Sequence, residues 1–245
     1  MIVTTENNKR IDLSQGIDLS IPLSDDENNP RAWYVDAPRF EPVRSDKWIG
    51  AVKEGGAVNF RNIFFNPHGH GTHTECLGHI TPEVYSINRY LKQFFFHAVL
   101  FSVEPKLIGE DRVITADCLK KLEAFEKIEA LIIRTLPNDT EKLSMNYSAT
   151  NPAYIDTDCL PLLNRLGVQH LLIDLPSVDK EQDDGELAFH HAFWEVPTNP
   201  QFDKTITELI FVPTQTQDGE YLLNLQVAPF ENDAAPSRPV IYPYL

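Results

Sequence analysis

Cysteine is scarce in this sequence, and disulfide bonds are therefore not expected to hold its fold. The three cysteines, Cys76, Cys118 and Cys159, are odd in number and far apart, and no Cys-x-x-Cys pair occurs. A small secreted domain held by disulfides has the opposite pattern. The scarcity fits a reducing compartment, and we predict a cytoplasmic protein.

Basic residues are also few. The chain has 21 lysines and arginines against 36 aspartates and glutamates, which leaves a formal net charge of -15 at pH 7. Nucleic acids and anionic membrane surfaces repel such a chain. We therefore expect neither as a partner, and we interpret most of the acidic residues as a solvated surface.

Long apolar runs are missing as well. The most apolar stretch, FFFHAVLF at residues 94–101, is too short to cross a bilayer and contains His97. The segment MIVTTENNKRIDLSQG lacks the apolar core of a signal peptide. No internal repeat, low-complexity tract or flexible linker interrupts the sequence, so residues 1–245 are predicted to form a single domain.

Short apolar segments predict a sheet. HAVLFSVE at 97–104, ALIIRTL at 130–136 and VQHLLIDL at 168–175 are nearly continuous apolar runs, as strands buried on both faces require. Near the N-terminus, RIDLSQGIDLSIPLS alternates apolar and polar residues, and AVNFRNIFF is rich in phenylalanine. Towards the C-terminus, TITELIFVP and EYLLNLQVAP flank Asp218-Gly219, a dipeptide that favours a hairpin.

Two helices are predicted between these strands. Thr115 is placed to cap the first, which carries Leu119, Leu122 and Phe125 on one face. Asp156 or Thr157 is placed to cap the second, which carries Leu160, Leu163 and Leu166 and ends at Gly167. Each helix is followed by a buried strand. The sequence therefore predicts a mixed α/β domain with a central β-sheet.

Residues 66–79 read NPHGHGTHTECLGH, and four imidazoles, a carboxylate and a thiol lie within them. In an extended chain the side chains of His73, Glu75 and His79 share one face. Imidazole and carboxylate groups together form a ligand set for Zn, Mn, Fe or Ni. Core packing has no use for several histidines, so we predict a metal site here. Cys76 points the other way and is interpreted as a small buried residue, with metal ligation as the alternative.

This segment resembles the signature of the cyclase family of metal-dependent hydrolases, H-x-G-T-H-x-D-x-P-x-H, a family that includes bacterial kynurenine formamidase and isatin hydrolase. Gly71, Thr72, His73 and His79 match it. The chain departs from the pattern in three places: the first histidine would fall on Gly69, Glu75 replaces the aspartate, and Leu77 replaces the proline.

The resemblance continues along most of the chain. IDLSIPLS near the N-terminus, LLIDLPSVD at 171–179, FHHAFW at 189–194, TELIFV at 207–212 and NDAAPSRPVIY at 232–242 are similar to further family segments in the same order. It implies a swivelling β/β/α type of fold and a hydrolase that uses metal-activated hydroxide on a small-molecule substrate. The bond would be amide-like, in an aryl formamide or a cyclic amide. The alternatives are a lactone or cyclic-imide hydrolase and a non-catalytic metal- or ligand-binding protein.

The resemblance also implies a set of site residues. The metal ligands would be His73, Glu75, His79 and Glu208, with His68 or His70 as a further ligand and His68 preferred. One of the adjacent residues His190 and His191 would be catalytic, with a slight preference for His190. The family resemblance implies two divalent metal ions per chain, zinc or manganese, because two ions can share a bridging hydroxide.

Other residues carry two interpretations each. The aromatic residues Phe64, Phe65, Phe193 and Trp194 adjoin the proposed ligands and either belong to the core or form walls for an aromatic substrate. Asp174, Ser177 and Asp179 either support the metal ligands or form a loop turn. His97 and His170 lie in apolar runs and are interpreted as structural. Asp233 and Arg238 are interpreted as an internal salt bridge.

The C-terminal segment gives a prediction about assembly. It carries five apolar residues among Pro236, Pro239 and Pro243, and a free tail of this composition would expose apolar surface. Because proline cannot donate to a sheet ladder, the tail is expected to dock by its side chains, either on its own domain or at a symmetric interface. With the family resemblance, this predicts a homodimer or homotetramer.

Overall fold

The computed structural model describes residues 1–5 and 8–245 of the chain. The strands, numbered in chain order, are β1 (Ile2–Thr4), β2 (Arg10–Asp12), β3 (Ile17–Asp18), β4 (Arg39–Pro42), β5 (Arg44–Ser45), β6 (Trp48–Ile49), β7 (Arg61–Phe64), β8 (His73–Glu75), β9 (Phe95–Val103), β10 (Lys106–Ile108), β11 (Asp111–Ile114), β12 (Ala130–Thr135), β13 (Tyr154–Ile155), β14 (His170–Ile173), β15 (Thr205–Glu208), β16 (Gly219–Asn224), β17 (Ala234–Pro236) and β18 (Val240–Pro243).

The helices are short. The α-helices are α1 (Pro67–His70), α2 (Ile87–Tyr90), α3 (Leu160–Leu166) and α4 (Ala188–Phe193). Segments of 3₁₀-helix span Val52–Glu54, Leu77–His79, Ala116–Ala124, Thr140–Leu143 and Thr157–Cys159. In the part of the chain that the structure describes, no helix has the length and apolar character needed to cross a membrane.

Nine strands of the described residues form one mixed sheet, in the order β17-β8-β15-β14-β12-β9-β16-β18-β3. The central strands β15, β14, β12 and β9 run parallel. The flanking strands pair antiparallel with their neighbours. The predicted mixed α/β fold around a central sheet is confirmed, and the three apolar runs that predicted its buried strands lie in β9, β12 and β14.

Apolar side chains cover the sheet on both faces. In β12, Leu131 and Ile133 point into one core, and Ile132 points into the other. Helix α3 covers the first core, and it begins and ends near the predicted residues. Asp156 accepts a hydrogen bond from the backbone N–H of Asp158 at the start of the preceding 3₁₀ turn, and Gly167 ends α3 at φ 75°, a conformation that favours glycine.

Two local predictions were wrong, one of a helix and one of a hairpin. The helix predicted after Thr115 is a 3₁₀-helix, and the Thr115 side chain makes no capping bond to it. The hairpin predicted around Asp218-Gly219 does not form, because β15 pairs with β14 and β8, whereas β16 pairs with β9 and β18. The Asp218 carboxylate instead accepts hydrogen bonds from the backbone N–H and the hydroxyl of Ser102.

The prediction that the C-terminal tail would not enter the sheet was also wrong. Strand β18 pairs with β16 on one side and with β3 on the other. Pro239 precedes the strand and Pro243 is its last residue, so neither proline has to donate within the interior of the ladder. Ile241 is completely buried. The tail thus docks on its own domain, by backbone pairing.

The parallel strands end together at one edge of the sheet. Val103, Thr135 and Glu208 are the last residues of β9, β12 and β15. His73 of the antiparallel strand β8 pairs with Glu208 and therefore lies at this carboxyl edge too. Ligands commonly bind at the carboxyl ends of parallel strands, and the polar residues singled out in the sequence converge there.

Candidate metal centre

Helix α1 presents His68 to the carboxyl edge. The Asn66 side chain caps the helix by accepting the backbone N–H of His68 at 2.9 Å, and Pro67 occupies the first turn. The helix packs closely at Gly69, where a β-carbon would lie only 2.7 Å from the Val35 side chain. These constraints fix the direction in which the His68 ring points.

His70, the alternative to His68, is engaged elsewhere. Its Nε2 lies 2.6 Å from the carbonyl oxygen of Asp36, and its Nδ1 accepts the backbone N–H of Asn66 at 2.8 Å. Both ring nitrogens are therefore used to hold the loop. His68, and not His70, reaches the other candidate ligands.

Strand β8 and the turn after it supply three more members. His73 and Glu75 project from one face of the strand, and the 3₁₀ turn Leu77–His79 brings His79 back towards them. Thr74 points the opposite way and hydrogen-bonds with the Thr207 hydroxyl. This alternation is the one expected for an extended chain.

Cys76 points away from this face. Its Sγ donates to the carbonyl oxygen of Tyr85, and burial raises the pKa of the thiol to about 12. A thiol held protonated in the core is a poor metal ligand.

Glu75 lies at the centre of four imidazoles. Its carboxylate is completely buried, and Oε2 lies 3.0 Å from Nδ1 of His68 and 4.0 Å from Nε2 of both His73 and His79. The other oxygen, Oε1, lies 3.0 Å from Nε2 of His190. One carboxylate thus faces ring nitrogens from three separate segments of the chain.

Glu208 approaches the same group from β15. Its Oε2 lies 3.4 Å from Nε2 of His73, and its Oε1 lies 3.9 Å from Nε2 of His190. Oε1 also accepts the backbone N–H of Val178 at 3.0 Å, which holds the carboxylate in place. The side chain is only 3% exposed, so it faces the interior and not solvent.

Asp233 is a member of the cluster that the sequence interpretation missed. Its Oδ2 lies 2.9 Å from Nε2 of His68 and 3.4 Å from Nδ1 of His79. The salt bridge predicted between Asp233 and Arg238 does not form, because Arg238 pairs with Asp18 at 2.7 Å. The signal that could have found Asp233 was its place in the NDAAPSRP segment, which resembles a family motif.

Helix α4 carries the next two histidines, which differ in their surroundings. Nδ1 of His190 lies 2.6 Å from Oδ2 of Asp179, and the ring is 2% exposed. His191 lies on another side of the helix, and its Nδ1 approaches only the carbonyl oxygen of Val196, at 3.4 Å. The structure therefore brings His190 into the cluster and leaves His191 outside it.

Burial and hydrogen bonding act in opposite directions on the pKa values of the cluster. Burial alone would lower the pKa of His68, but Asp233 and Glu75 outweigh it and raise the pKa to about 10. For His190, Asp179 and Glu75 likewise outweigh burial and raise the pKa to about 10. Burial would raise the pKa of Glu75, yet the surrounding imidazoles hold it well below 4.5. The cluster thus strongly favours positive charge next to its carboxylates.

Two buried atoms of the cluster have no hydrogen-bond partner among the described residues. They are Nε2 of His73 and Oε2 of Glu75 at the centre of the group, because their contacts of 3.4 Å to Glu208 and 3.0 Å to His68 lack the geometry of a hydrogen bond. Three overlapping sets of ligand atoms also lie within 4.8 Å of one another: His68, His73 and Glu75; His68, His79 and Asp233; and Glu75, His79 and His190. Buried polar atoms normally have hydrogen-bond partners. Imidazole nitrogens and carboxylate oxygens that converge without such partners therefore fit the ligand set of a divalent cation.

The candidate aromatic walls separate into two groups. Phe193 and Trp194 are completely buried, and the Trp194 indole N–H donates to the carbonyl oxygen of Lys204, so these rings pack as core side chains. Phe64 is 44% exposed, and Phe65 is half-buried with its ring 6.2 Å from that of Phe230. Phe65 and Phe230 each precede a cluster residue, His68 or Asp233, by three positions.

A buried cluster of imidazoles and carboxylates at the carboxyl edge of a mixed sheet is the kind of site that metal-dependent hydrolases use. The chain belongs to the cyclase family: the family model described as "Putative cyclase" matches residues 17–180.

Relatives are similar over nearly the whole chain. Kynurenine formamidase of Bacillus cytotoxicus is 28% identical over 233 residues, which cover 94% of this chain and 98% of the relative. Kynurenine formamidase of Bacillus thuringiensis is 29% identical over 238 residues, with the same coverage of both chains.

Solved structures share the fold. An isatin hydrolase bound to the product analogue thioisatinate has a TM-score of 0.65 at 13% identity, over 94% of this chain and 93% of that one. A predicted metal-dependent hydrolase from Bacillus stearothermophilus has a TM-score of 0.64 at 15% identity, over 93% and 97% of the two chains.

Proposed function

We propose that the protein is a metal-dependent hydrolase that cleaves an amide-like bond, in an aryl formamide or a cyclic amide. The observation that carries the proposal is the convergence of four imidazoles on the buried carboxylate of Glu75, with unpaired atoms at the centre. The kynurenine formamidases, which are similar over 94% of the chain, support a formamide or related amide as the substrate class.

We assign the metal ligands to His68, His73, Glu75, His79 and Glu208. Two divalent ions, zinc or manganese, suit this number of donors, and Asp233 is placed to hold the rings of His68 and His79. When bound, such ions lower the pKa of water and polarise the carbonyl group of a substrate.

His190 is the residue that we propose moves a proton. Because Asp179 holds Nδ1, the ring presents Nε2 to the centre of the cluster, where it lies 3.0 Å from Glu75. A proton held at Nε2 can pass to the nitrogen that leaves when the amide bond breaks. Asp179 also accepts the backbone N–H groups of Phe189 and His190, so the helix and the ring are fixed together.

The same side chains could also support the hydrolysis of other carbonyl compounds. A lactone or a cyclic imide also has a carbonyl that accepts attack, and only its leaving group differs. A protein that binds metal without turnover is the remaining alternative, for which the replacement of the family aspartate by Glu75 is the reason. Neither alternative changes the assignment of ligands.

A substrate panel tests the proposal. We expect the metal-loaded protein to hydrolyse formanilide or a cyclic amide, and to lose this activity on chelation and regain it on adding zinc or manganese. The variant His190→Gln is expected to keep the metal and lose turnover, whereas His191→Gln keeps both. Turnover of lactones alone would contradict the amide assignment, and full metal content without turnover of any substrate would indicate a binding protein.

We also propose that residues 1–245 act as one domain and that the protein forms a homodimer or homotetramer. Several large apolar side chains of residues 48–64 are exposed, among them Phe60 at 58% and Ile63 at 53%, which a monomer would leave in water. Light scattering that reports a monomer at micromolar concentration would contradict the assembly.

A further inference from the structure

A cavity of about 230 Å³ lies at the carboxyl edge of the sheet, beyond the ends of β12 and β14. The chain from residue 135 to residue 153 forms most of its lining, and Leu175 after β14 completes the wall. Its apolar lining includes Pro137, Met145 and Ala153. Residues of the metal cluster do not line it.

Lys142, one of the charged residues that line this cavity, is already paired. Nζ of Lys142 donates to the carbonyl oxygen and hydroxyl of Thr135 and to Oδ2 of Asp174, at 2.8, 2.9 and 2.8 Å. Asp174 also accepts the backbone N–H and the hydroxyl of Thr135. An ammonium group has three protons, so Lys142 has none left for a ligand.

The Tyr147 hydroxyl is different from these groups. Tyr147 lines the cavity, is 4% exposed, and its hydroxyl is a buried polar atom without a hydrogen-bond partner among the described residues. Its ring packs with Ala32 and Leu209, and Leu209 follows Glu208 in the chain. A buried hydroxyl that makes no hydrogen bond is destabilising, and a ligand with an acceptor atom would remove that cost.

The charges around the cavity favour a neutral ligand. Lys142 is neutralised by Asp174, so the remaining charged residues of the lining are Arg112 against Asp139 and Glu141. Burial raises the pKa of the Tyr147 hydroxyl, and the nearby negative charge of Asp174 raises it further. The hydroxyl therefore stays protonated and able to donate. An anion would meet this acidic excess, and a simple ammonium ion has no acceptor for the Tyr147 hydroxyl, whereas a neutral carbonyl oxygen would find the Tyr147 donor.

We propose that this cavity is a second small-molecule site, separate from the metal centre, which binds a compact uncharged ring compound through a hydrogen bond from the Tyr147 hydroxyl to a carbonyl oxygen. The apolar walls would contact the ring. The volume is below the range of about 300–1,000 Å³ common for sites of drug-sized ligands, so the ligand is small.

The test uses acetophenone as the probe, because it has a ring and a carbonyl group but no bond that a hydrolase cleaves. Binding is measured by calorimetry or ligand-observed NMR on the full chain, with metal and after chelation. We expect equal binding in both states, binding about fivefold weaker in Tyr147→Phe, and no change in Tyr154→Phe, a matched substitution outside the cavity. Toluene, which lacks the carbonyl, is expected to bind wild type and Tyr147→Phe equally.

Three outcomes would overturn the proposal: no binding of acetophenone, binding that disappears on chelation, or equal binding by Tyr147→Phe. Thermal unfolding without the probe gives an independent check. Because Tyr147→Phe removes only an unpaired hydroxyl, its melting temperature should equal or exceed that of the wild type. A fall of several degrees would show that the hydroxyl is already bonded in the free protein and would also overturn the proposal.

Discussion

Two buried polar networks lie at the same edge of the sheet, and they differ in completeness. In the first, Lys142, Asp174 and Thr135 satisfy one another, with every proton of the ammonium group donated. In the second, the imidazoles and carboxylates around Glu75 leave His73 Nε2 and Glu75 Oε2 without partners. Both networks bury charge, but of the two only the second leaves buried atoms whose partner would have to be a bound ion or ligand.

The difference predicts a structural role for the first network and a functional role for the second. A complete network fixes the loop after β12 and gains nothing from a further ion. An incomplete network of ligand-type atoms is costly to the free protein, and a bound cation would repay that cost. The contrast therefore predicts, without reference to any relative, how each network should respond to mutation.

The largest expected effect is on metal and activity. We expect His73→Ala to remove bound metal and to lower hydrolysis by at least about 1,000-fold, because it deletes a donor at the centre of the incomplete network. His68→Ala should lower metal affinity more than His70→Ala, since the His70 ring is held by backbone groups. Full metal stoichiometry in His73→Ala by elemental analysis would refute the ligand assignment, and reversed losses for His68 and His70 would refute that choice.

The second effect is on stability. Asp174→Ala leaves the Lys142 ammonium buried without its counter-ion, and we expect a loss of about 3–5 kcal/mol in the free energy of unfolding. The partly exposed pair of Asp111 and Lys180 is the control, and Asp111→Ala should cost much less, about 1 kcal/mol. Urea unfolding measures both values, and elemental analysis should show full metal content in both variants. Metal loss in Asp174→Ala would contradict the separation of the two networks.

The third effect is a pH dependence from a histidine outside both networks. His170 is 4% exposed, its Nδ1 lies 2.8 Å from the Thr205 hydroxyl, and burial lowers its pKa to about 4. The His170 imidazole takes up a proton near pH 6.5 in the unfolded chain but only near pH 4 in the folded chain. The free energy of unfolding therefore falls as the pH drops from about 6.5 to about 4. The loss is up to roughly 3 kcal/mol.

The matched variant for that measurement is His170→Gln, which cannot titrate. The difference in unfolding free energy between wild type and variant isolates His170, because the cluster residues titrate in both proteins. We expect the difference to change between pH 6.5 and pH 4 and to be flat above pH 7.5. A constant difference over the whole range would show that the pKa of His170 does not change on folding and would contradict the prediction.

The sequence predicted part of the fold well, for a physical reason. Strands buried on both faces need continuous apolar runs, so β9, β12 and β14 could be identified from composition alone. The pairing of β16 could not, because the Asp-Gly signal is local whereas β16 is bound by β9 and β18 from distant parts of the chain. The prolines around β18 led to a wrong prediction for a similar reason. Whether a proline disrupts a strand depends on its position in the hydrogen-bond ladder, and that position depends on the distant strands that pair with β18.

The candidate site divides in the same way. His73, Glu75 and His79 could be grouped from spacing, because they are close in sequence. Asp233 could not, because its contact with His68 joins residues 165 positions apart. The choices between His68 and His70, and between His190 and His191, also depended on tertiary contacts. In both cases the residue outside the cluster is one whose ring approaches backbone groups.

The smallest expected effect concerns the hydrogen bond between Asp179 and His190, which we expect to support the incomplete network around Glu75. Asp179 holds His190 through Nδ1 at 2.6 Å, so Asp179→Asn should weaken the orientation of the ring without removing a metal ligand. We expect the turnover number to fall by about 10–100-fold with KM and metal content little changed. Asp183→Asn is the control, because Asp183 accepts backbone N–H groups of Gly185 and Leu187 before the same helix but contacts no cluster residue. Loss of metal in Asp179→Asn would make Asp179 part of the ligand set, and unchanged turnover would mean that His190 does not depend on it.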